Sequence, residues 1–174
     1  MQIYTFKQLY QKYNLLKDDK RISGTTETKI RYLERCGIIV EEIPTEGRTK
    51  KFKIVDDTIF TNPNWKKHPT KPFELTPDGM VRNSELKTLY KLQLEQHGYI
   101  NVADHEAHHR LLMETFKPRP NAEWLTVDHL NGIRNDNRLE NLEWVSPATN
   151  TKRMSENQQA IFSKVQQLIQ TKGY

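Results

Sequence analysis

The chain has 174 residues, enough for one large domain or two to three small modules. Hydrophobic residues make up 35% and charged residues 28%, which is lean but enough for small cores and excludes a wholly disordered chain. The formal charge is +5, and residues 1–55 hold 12 Lys and Arg against 7 Asp and Glu, so the whole excess lies in the first third. A basic module joined to a neutral one suits a polyanion, nucleic acid foremost, with an ordinary solvated basic face as the plainer alternative. No run of about 18 apolar residues exists to cross a membrane. The start, MQIYTFKQLYQKYN, lacks the apolar centre of a secretory signal. The single cysteine, Cys36, excludes an internal disulfide framework and a multi-cysteine zinc site, and it points to the reducing cytoplasm.

The first segment is predicted as helix, helix, hairpin. Thr5 can cap a helix whose apolar face is Phe6, Leu9, Tyr10 and Tyr13. Asn14 to Gly24 is polar and turn-like. Thr25 or Thr26 can cap a second helix with Glu27 in its first turn, Ile30 and Leu33 inward and Gly37 as a stop. Cys36 ends that helix as a small buried hydrophobe. Ile38 to Ile43 is a strand, Pro44-Thr45-Glu46-Gly47 a turn, and Lys51 to Val55 the returning strand. Two helices and a basic hairpin resemble a small winged-helix module over residues 1–55. Its second helix would offer Thr28, Lys29, Arg31, Tyr32 and Arg35 to a major groove, and its hairpin Arg48, Lys50, Lys51 and Lys53 to the backbone. A protein-binding or structural cap is the alternative.

Residues 56–64, DDTIFTNPN, have no helical period and are expected to be a linker. Residues 65–104 are expected to form a small antiparallel sheet. Phe73-Glu74-Leu75-Thr76 turns at Pro77-Asp78-Gly79 into Met80-Val81-Arg82, Tyr90 to Leu94 alternates, and His97-Gly98 turns into Tyr99-Ile100-Asn101-Val102. Asp104 can cap a helix from about His105 to Phe116 that buries Leu111 and Leu112, with Pro118 and Pro120 ending it. His68, His97, His105 and His108 are expected at the surface or in turns. His109 is expected to be a packed helix residue, with contact to a phosphate as the alternative.

The most informative stretch is Trp124 to Arg153. Val127-Asp128-His129 can end a strand, and the loop Asn131-Gly132 to Asn141 is dense in side chains that bond their own backbone. Leu142-Glu143-Trp144-Val145 is the returning strand, and Ser146-Pro147 starts a helix with Asn150 in about its first turn. Trp124 and Trp144 flank the two strands and are expected in the core. This strand–loop–strand–helix unit can gather Asp128, His129 and Asn150. A neutral histidine can take a proton from water near neutral pH, and a carboxylate with an amide oxygen suits a hard divalent ion such as Mg²⁺ or Mn²⁺. From spacing alone, an isolated Asp-His pair is more often a surface hydrogen bond. A last helix from about Ser155 to Gln170 carries an apolar stripe, Ile161, Val165, Leu168 and Ile169. It is expected to pack on the preceding unit, with a dimer contact as the alternative.

Asp128-His129, Asn131-Gly132, Asn135 through Val145 and Asn150 together resemble the HNH (ββα-metal) nucleases, and most of all the phage and intron homing-endonuclease branch. His109-Arg110-Leu111 before Phe116 resembles the helix preceding that motif. Trp65, Phe73-Glu74-Leu75, Gly79-Met80-Val81-Arg82 and Gly98-Tyr99 resemble the nuclease-associated module found ahead of it. The resemblance covers roughly residues 65–155. Joined to the winged-helix-like reading of residues 1–55, it implies an α+β chain with that N-terminal module, a small antiparallel sheet and a C-terminal ββα-metal nuclease over 105–174. It implies His129 as general base, Asp128 and Asn150 as ligands of Mg²⁺ or Mn²⁺, and Asn141 as the brace of the loop behind His129. The family often has histidine where Asn150 stands, and an amide oxygen still suits a hard metal. Ala103-Asp104-His105-Glu106 stands where a longer turn is typical. Arg110, Arg134, Arg138, Lys152 and Arg153 could hold phosphates beside the cut, Arg134 and Arg153 foremost, with a set of exposed charges as the alternative.

The function implied is endonucleolytic cleavage of double-stranded DNA by a monomer or homodimer, leaving 5′-phosphate and 3′-hydroxyl ends, in the cytoplasm of a phage host or bacterium. The alternatives are a phage or restriction-type nuclease without a homing role, and a DNA-binding regulator on an inactive nuclease fold.

Overall fold

The computed structural model describes residues 2–15 and 24–172, so most of the expected turn from Asn14 to Gly24 lies outside the described residues. It is a mixed α+β structure with small antiparallel sheets and a long C-terminal helix, and it divides into two compact units. The first comprises residues 1–76 and 80–91, the second 77–79 and 92–174.

In the first unit, α1 (Phe6–Lys12) begins at Thr5, whose hydroxyl accepts from Gln8 N while Gln8 Oε1 accepts from Thr5 N. That reciprocal box satisfies two amides the helix leaves unpaired. Thr25 caps α2 (Thr26–Arg35) by its hydroxyl alone, which accepts from Thr28 N. Strands β1 (Ile39–Ile43) and β2 (Lys51–Asp56) pair antiparallel, and Tyr4 bridges Phe52. Leu9, Tyr10, Tyr13, Leu33, Cys36, Ile38 and Phe52 form the core. Burial pushes the Cys36 thiol up to about 11, as expected of an inert packed cysteine. Gly37 is fixed by geometry: its φ is +78°, and a Cβ there would meet Ile59 at 2.8 Å.

Residues 56–64 are not a bare linker. They hold α3 (Thr58–Thr61), too short to display a period in sequence. Tyr13 donates to Asp57 at 2.6 Å, Phe60 packs on the core, and Trp65 Nε1 donates to Ile59 O.

The expected single sheet is two sheets. Strands β3 (Lys66–Lys67), β4 (Phe73–Leu75) and β5 (Val81–Asn83) pair in the first unit, and β6 (Gln93–Leu94) pairs only with β7 (Ile100–Asn101) in the second. The alternation from Tyr90 to Leu94 misled because Tyr90 bonds along β5, through its N to Val81 O, whereas Gln93 and Leu94 pair elsewhere. Buried Arg82 donates to Glu74 at 2.6 Å and to Phe60 O at 3.1 Å, and stacks 4.2 Å from the Trp65 ring. His68, expected at the surface, is buried, with Nδ1 accepting from the Thr70 and Lys71 amides.

In the second unit, α4 (His108–Phe116) starts after Ala107, not at Asp104, because Ala103–His105 forms its own 3-10 turn. It buries His108, Leu111, Leu112, Met113 and Thr115. Strands β8 (Thr126–His129) and β9 (Leu142–Val145) pair antiparallel, with His129 opposite Leu142. Trp144 is buried and donates to Lys117 O. Trp124, expected in the core, is 75% exposed, because it sits in a 3-10 turn before β8 and not on the strand. Helix α5 (Pro147–Lys172) starts at the expected Ser146, whose hydroxyl accepts from Thr149 N. It runs unbroken for 26 residues. Its ion pairs with β8 and β9 are made by Arg153, and from Met154 onward every described side chain is exposed. Ile161, Val165 and Leu168 therefore do not pack on this unit, contrary to expectation, and the side chain of Ile169 lies outside the described residues. Among the described residues no helix is long and apolar enough to cross a membrane.

Candidate active site

Successive side chains of a strand point to opposite faces, so Asp128 and His129 leave β8 on opposite sides. His129, with Val127, turns inward and is 5% exposed. Asp128 turns toward α5, where Arg153 Nη1 donates to its Oδ2 at 3.1 Å and to Glu143 Oε2 at 2.7 Å. Both carboxylates, Glu143 first, raise the Arg153 pKa. Asn150 precedes Arg153 by three residues and so shares its face of α5. Its carboxamide has no hydrogen-bond partner among the described residues.

Asn141 ties the loop after β8 from below. Its Oδ1 accepts from Asn131 N at 3.0 Å, and its Nδ2 donates to Asn131 Oδ1 at 3.0 Å and to Asp136 O at 2.8 Å. Asn131 in turn donates to Asp136 Oδ2 and accepts from Ile133 N. Two bonds from the Arg138 guanidinium hold the Asp136 carboxyl well below the usual range.

His129 does not touch Asn141. Its Nε2 lies 2.8 Å from Asn137 Oδ1, Asn137 Nδ2 lies 2.9 Å from His108 Nδ1, and His108 Nε2 lies 2.8 Å from Gly79 O. The His109 ring stands 5.2 Å from the His129 ring and 5.4 Å from Tyr99. Its Nδ1 is buried without a partner among the described residues. Burial first, then His129, His108 and Arg110, lower its pKa to about 4, so the ring is neutral at pH 7.

Among the described residues no three His, Cys, Asp or Glu side chains gather as a metal site. Asp128 and its cross-strand neighbour Glu143 offer carboxylate oxygens here, both bonded to Arg153, and Asn150 adds an amide oxygen on that face of α5. That set fits a hard ion of the Mg²⁺ type, which commonly takes one or two protein oxygens and completes its shell with phosphate and water.

Residues 106–152 match the family model described as HNH endonuclease. This segment is an HNH endonuclease domain. A solved structure of the HNH homing endonuclease I-HmuI, concerned with DNA binding and cleavage, is similar to the chain at 25% identity with a TM-score of 0.43. The match covers 61% of this chain and 66% of that one, just under two thirds of the neighbour's length. No curated protein matches.

In the HNH domain and its flanks, the basic residues singled out in sequence differ in their freedom. Arg110 is half-buried, donating to Glu114, Leu125 O and Ala122 O and lying over the Trp144 ring. Arg134 donates to His97 O and lies over Tyr99. In the first unit Lys29 lies over the Phe6 ring, Arg31 pairs with Glu27 and Lys50 with Glu42, while Arg35, Arg48 and Lys51 are exposed.

Sequence reasoning assigned no role to Asn137 or Gly79 and placed His108 at the surface, whereas His108 is 3% exposed. A signal was present: His108 precedes Leu111 and Leu112 by three and four residues, on the apolar stripe of α4.

Proposed function

We propose that the chain is a metal-dependent DNA endonuclease of the homing type, cutting double-stranded DNA at a site selected largely by a winged-helix-like N-terminal module. The observation that carries this reading is the end of β8, where Asp128 and His129 stand on opposite faces of one strand inside the HNH segment. His129 serves as general base. Asp128 and Asn150 hold Mg²⁺ or Mn²⁺, which when bound stabilises the negative charge that builds on the phosphate and the leaving 3′-oxygen. Asn141 braces the loop behind the base. His129 takes one proton from the attacking water as the water oxygen bonds to phosphorus, and the 3′-oxygen leaves with the electrons of the broken bond and is protonated from solvent. The products carry 5′-phosphate and 3′-hydroxyl ends.

Lys29, Arg31, Arg35, Arg48, Lys50 and Lys51 grip DNA from the first unit, while Arg134 and Arg153 hold phosphates beside the cut. Arg110 keeps only an indirect part, since its donors are already engaged by Glu114 and two carbonyls. One active site per chain cuts one strand, so a monomer nicks and a double-strand break requires a second chain or a second visit.

The test is cleavage of supercoiled plasmid carrying the flanking genomic DNA, with Mg²⁺, Mn²⁺ or EDTA, beside His129→Ala. Nicked or linear product that needs metal and is lost in the variant is the expected result. Plasmid that stays supercoiled in every metal while a gel shift still reports binding would overturn the nuclease reading in favour of a DNA-binding regulator.

A further inference from the structure

The three hydrogen bonds that run from Gly79 to His129 have forced directions. Gly79 O is a carbonyl and only accepts, so His108 Nε2, 2.8 Å away, carries a proton. His108 is 3% exposed, and burial lowers its pKa against the opposing bond to Gly79, so the ring is neutral. A neutral ring protonated at Nε2 has a lone pair at Nδ1, and the atom 2.9 Å from it is Asn137 Nδ2, which only donates. The carboxamide is thereby oriented, with Oδ1 turned to His129 Nε2 at 2.8 Å. An amide oxygen has no proton to give, so His129 Nε2 donates.

We infer that Gly79, His108 and Asn137 form a positioning relay that holds His129 as the Nε2-protonated tautomer, leaving Nδ1 as the atom that accepts the proton from water. The inference rests on the nuclease reading for its chemistry and on the four residues alone for its geometry.

Two further observations support it. All four members are buried, so each bond is shielded from water and an unpaired partner would be costly. Gly79 is also constrained by its contact with the relay. Its φ is +94°, and a Cβ there would stand 3.0 Å from His108 Cε1 and 3.4 Å from Nε2, so only glycine presents this carbonyl so close to the ring.

A histidine held in the wrong tautomer offers the reaction a proton where it needs a lone pair. Partners of this outer kind typically contribute about 10- to 100-fold in activity.

The experiment uses the full chain labelled with 15N at histidine, in chelator at about pH 8, above the ordinary histidine range. Long-range 1H–15N correlations distinguish the two neutral tautomers, and His129→Ala assigns the signals of His129. The wild type is expected to show the Nε2-protonated form alone, and Asn137→Leu a mixture of both. An Nδ1-protonated His129 in the wild type, or an unchanged spectrum in a folded Asn137→Leu, would overturn the relay.

A second pair of variants guards against loss of folding at Asn137. His108→Gln keeps a donor for Gly79 and an acceptor for Asn137, and His108→Leu keeps neither. Cleavage by His108→Leu is expected to fall about 10- to 100-fold in kcat at unchanged KM, with His108→Gln recovering most of it. Equal losses in the two would assign His108 to packing alone and overturn the inference. Wild-type protein that cuts no DNA would remove the nuclease reading while leaving the tautomer measurement decisive for the relay.

Discussion

A single nitrogen of Arg153 bridges Asp128 Oδ2 at 3.1 Å and Glu143 Oε2 at 2.7 Å, so a fixed positive charge on α5 already faces the carboxylate assigned to the metal. A divalent ion arriving at Asp128 must share that carboxylate with the guanidinium, and like charges at this distance repel. Arg153→Met is therefore expected to raise the affinity for Mn²⁺ alone severalfold in a calorimetric titration without DNA. An unchanged or weakened affinity would show that the guanidinium swings clear of the ion.

Asn141 makes three hydrogen bonds into the loop and is 6% exposed. Asn141→Ala leaves the Asn131 amide and the Asp136 carbonyl without those partners. It is expected to lower stability by about 1–3 kcal/mol, read as a lower urea midpoint at unchanged slope. A midpoint equal to that of the wild type would mean that the loop rearranges around the gap.

The second unit should lose stability in mild acid. Burial holds the folded pKa of His109 at about 4, below its unfolded value of about 6.5, and His108 is lowered in the same direction. Between those values the unfolded chain binds more protons, so stability is fully present above the unfolded pKa and falls as the pH drops toward the folded one. Melting temperatures from pH 8 to pH 4 in chelator should decline across this window, and His109→Gln should flatten the decline. An equally steep decline in His109→Gln would place the acid-sensitive group elsewhere.

In the first unit, Arg82 is the buried partner of Glu74, which also accepts from Lys87. Burial opposes the Glu74 charge, but the bonds from Lys87 and Arg82 outweigh it, and the carboxyl titrates below its ordinary range. Removing one member of such a group exposes the other to the full cost of burial. Arg82→Ala is expected to cost about 3–5 kcal/mol. Replacing Arg82 and Glu74 together by Met and Gln should recover part of that loss in the same denaturation assay. A double variant no more stable than Arg82→Ala would argue that stacking on Trp65 and Phe60 matters more than the charges.

What the sequence revealed follows the range of the interactions. The caps at Thr5, Thr25 and Ser146, the hairpin of β1 and β2, and the strand ending in Asp128-His129 depend on neighbours a few residues away, and each was legible. The tie from Asn141 to Asn131 spans ten residues within one loop, and the family resemblance suggested a bracing role for Asn141 without naming its partner. His68 and His108 were misplaced because a histidine's burial depends on finding partners, and the Gly79 carbonyl beside His108 is 29 residues distant. Trp124 erred in the other direction: an aromatic residue near a strand invites a core assignment, and only the 3-10 turn before β8 carries it outward. The stripe on α5 has helical spacing whether or not anything lies opposite it.

Gly79, His108 and Asn137 come from three stretches of chain separated by 29 residues each. Their alignment is closed late, because each link carries the entropy of a long loop and none forms locally. An excised segment spanning 106–152 would contain every residue assigned to the chemistry and still lack the carbonyl that anchors the series. Competence to cut would then arrive only with the finished tertiary structure, and a nascent, truncated or partly melted chain would carry the side chains of a nuclease without a uniquely protonated base.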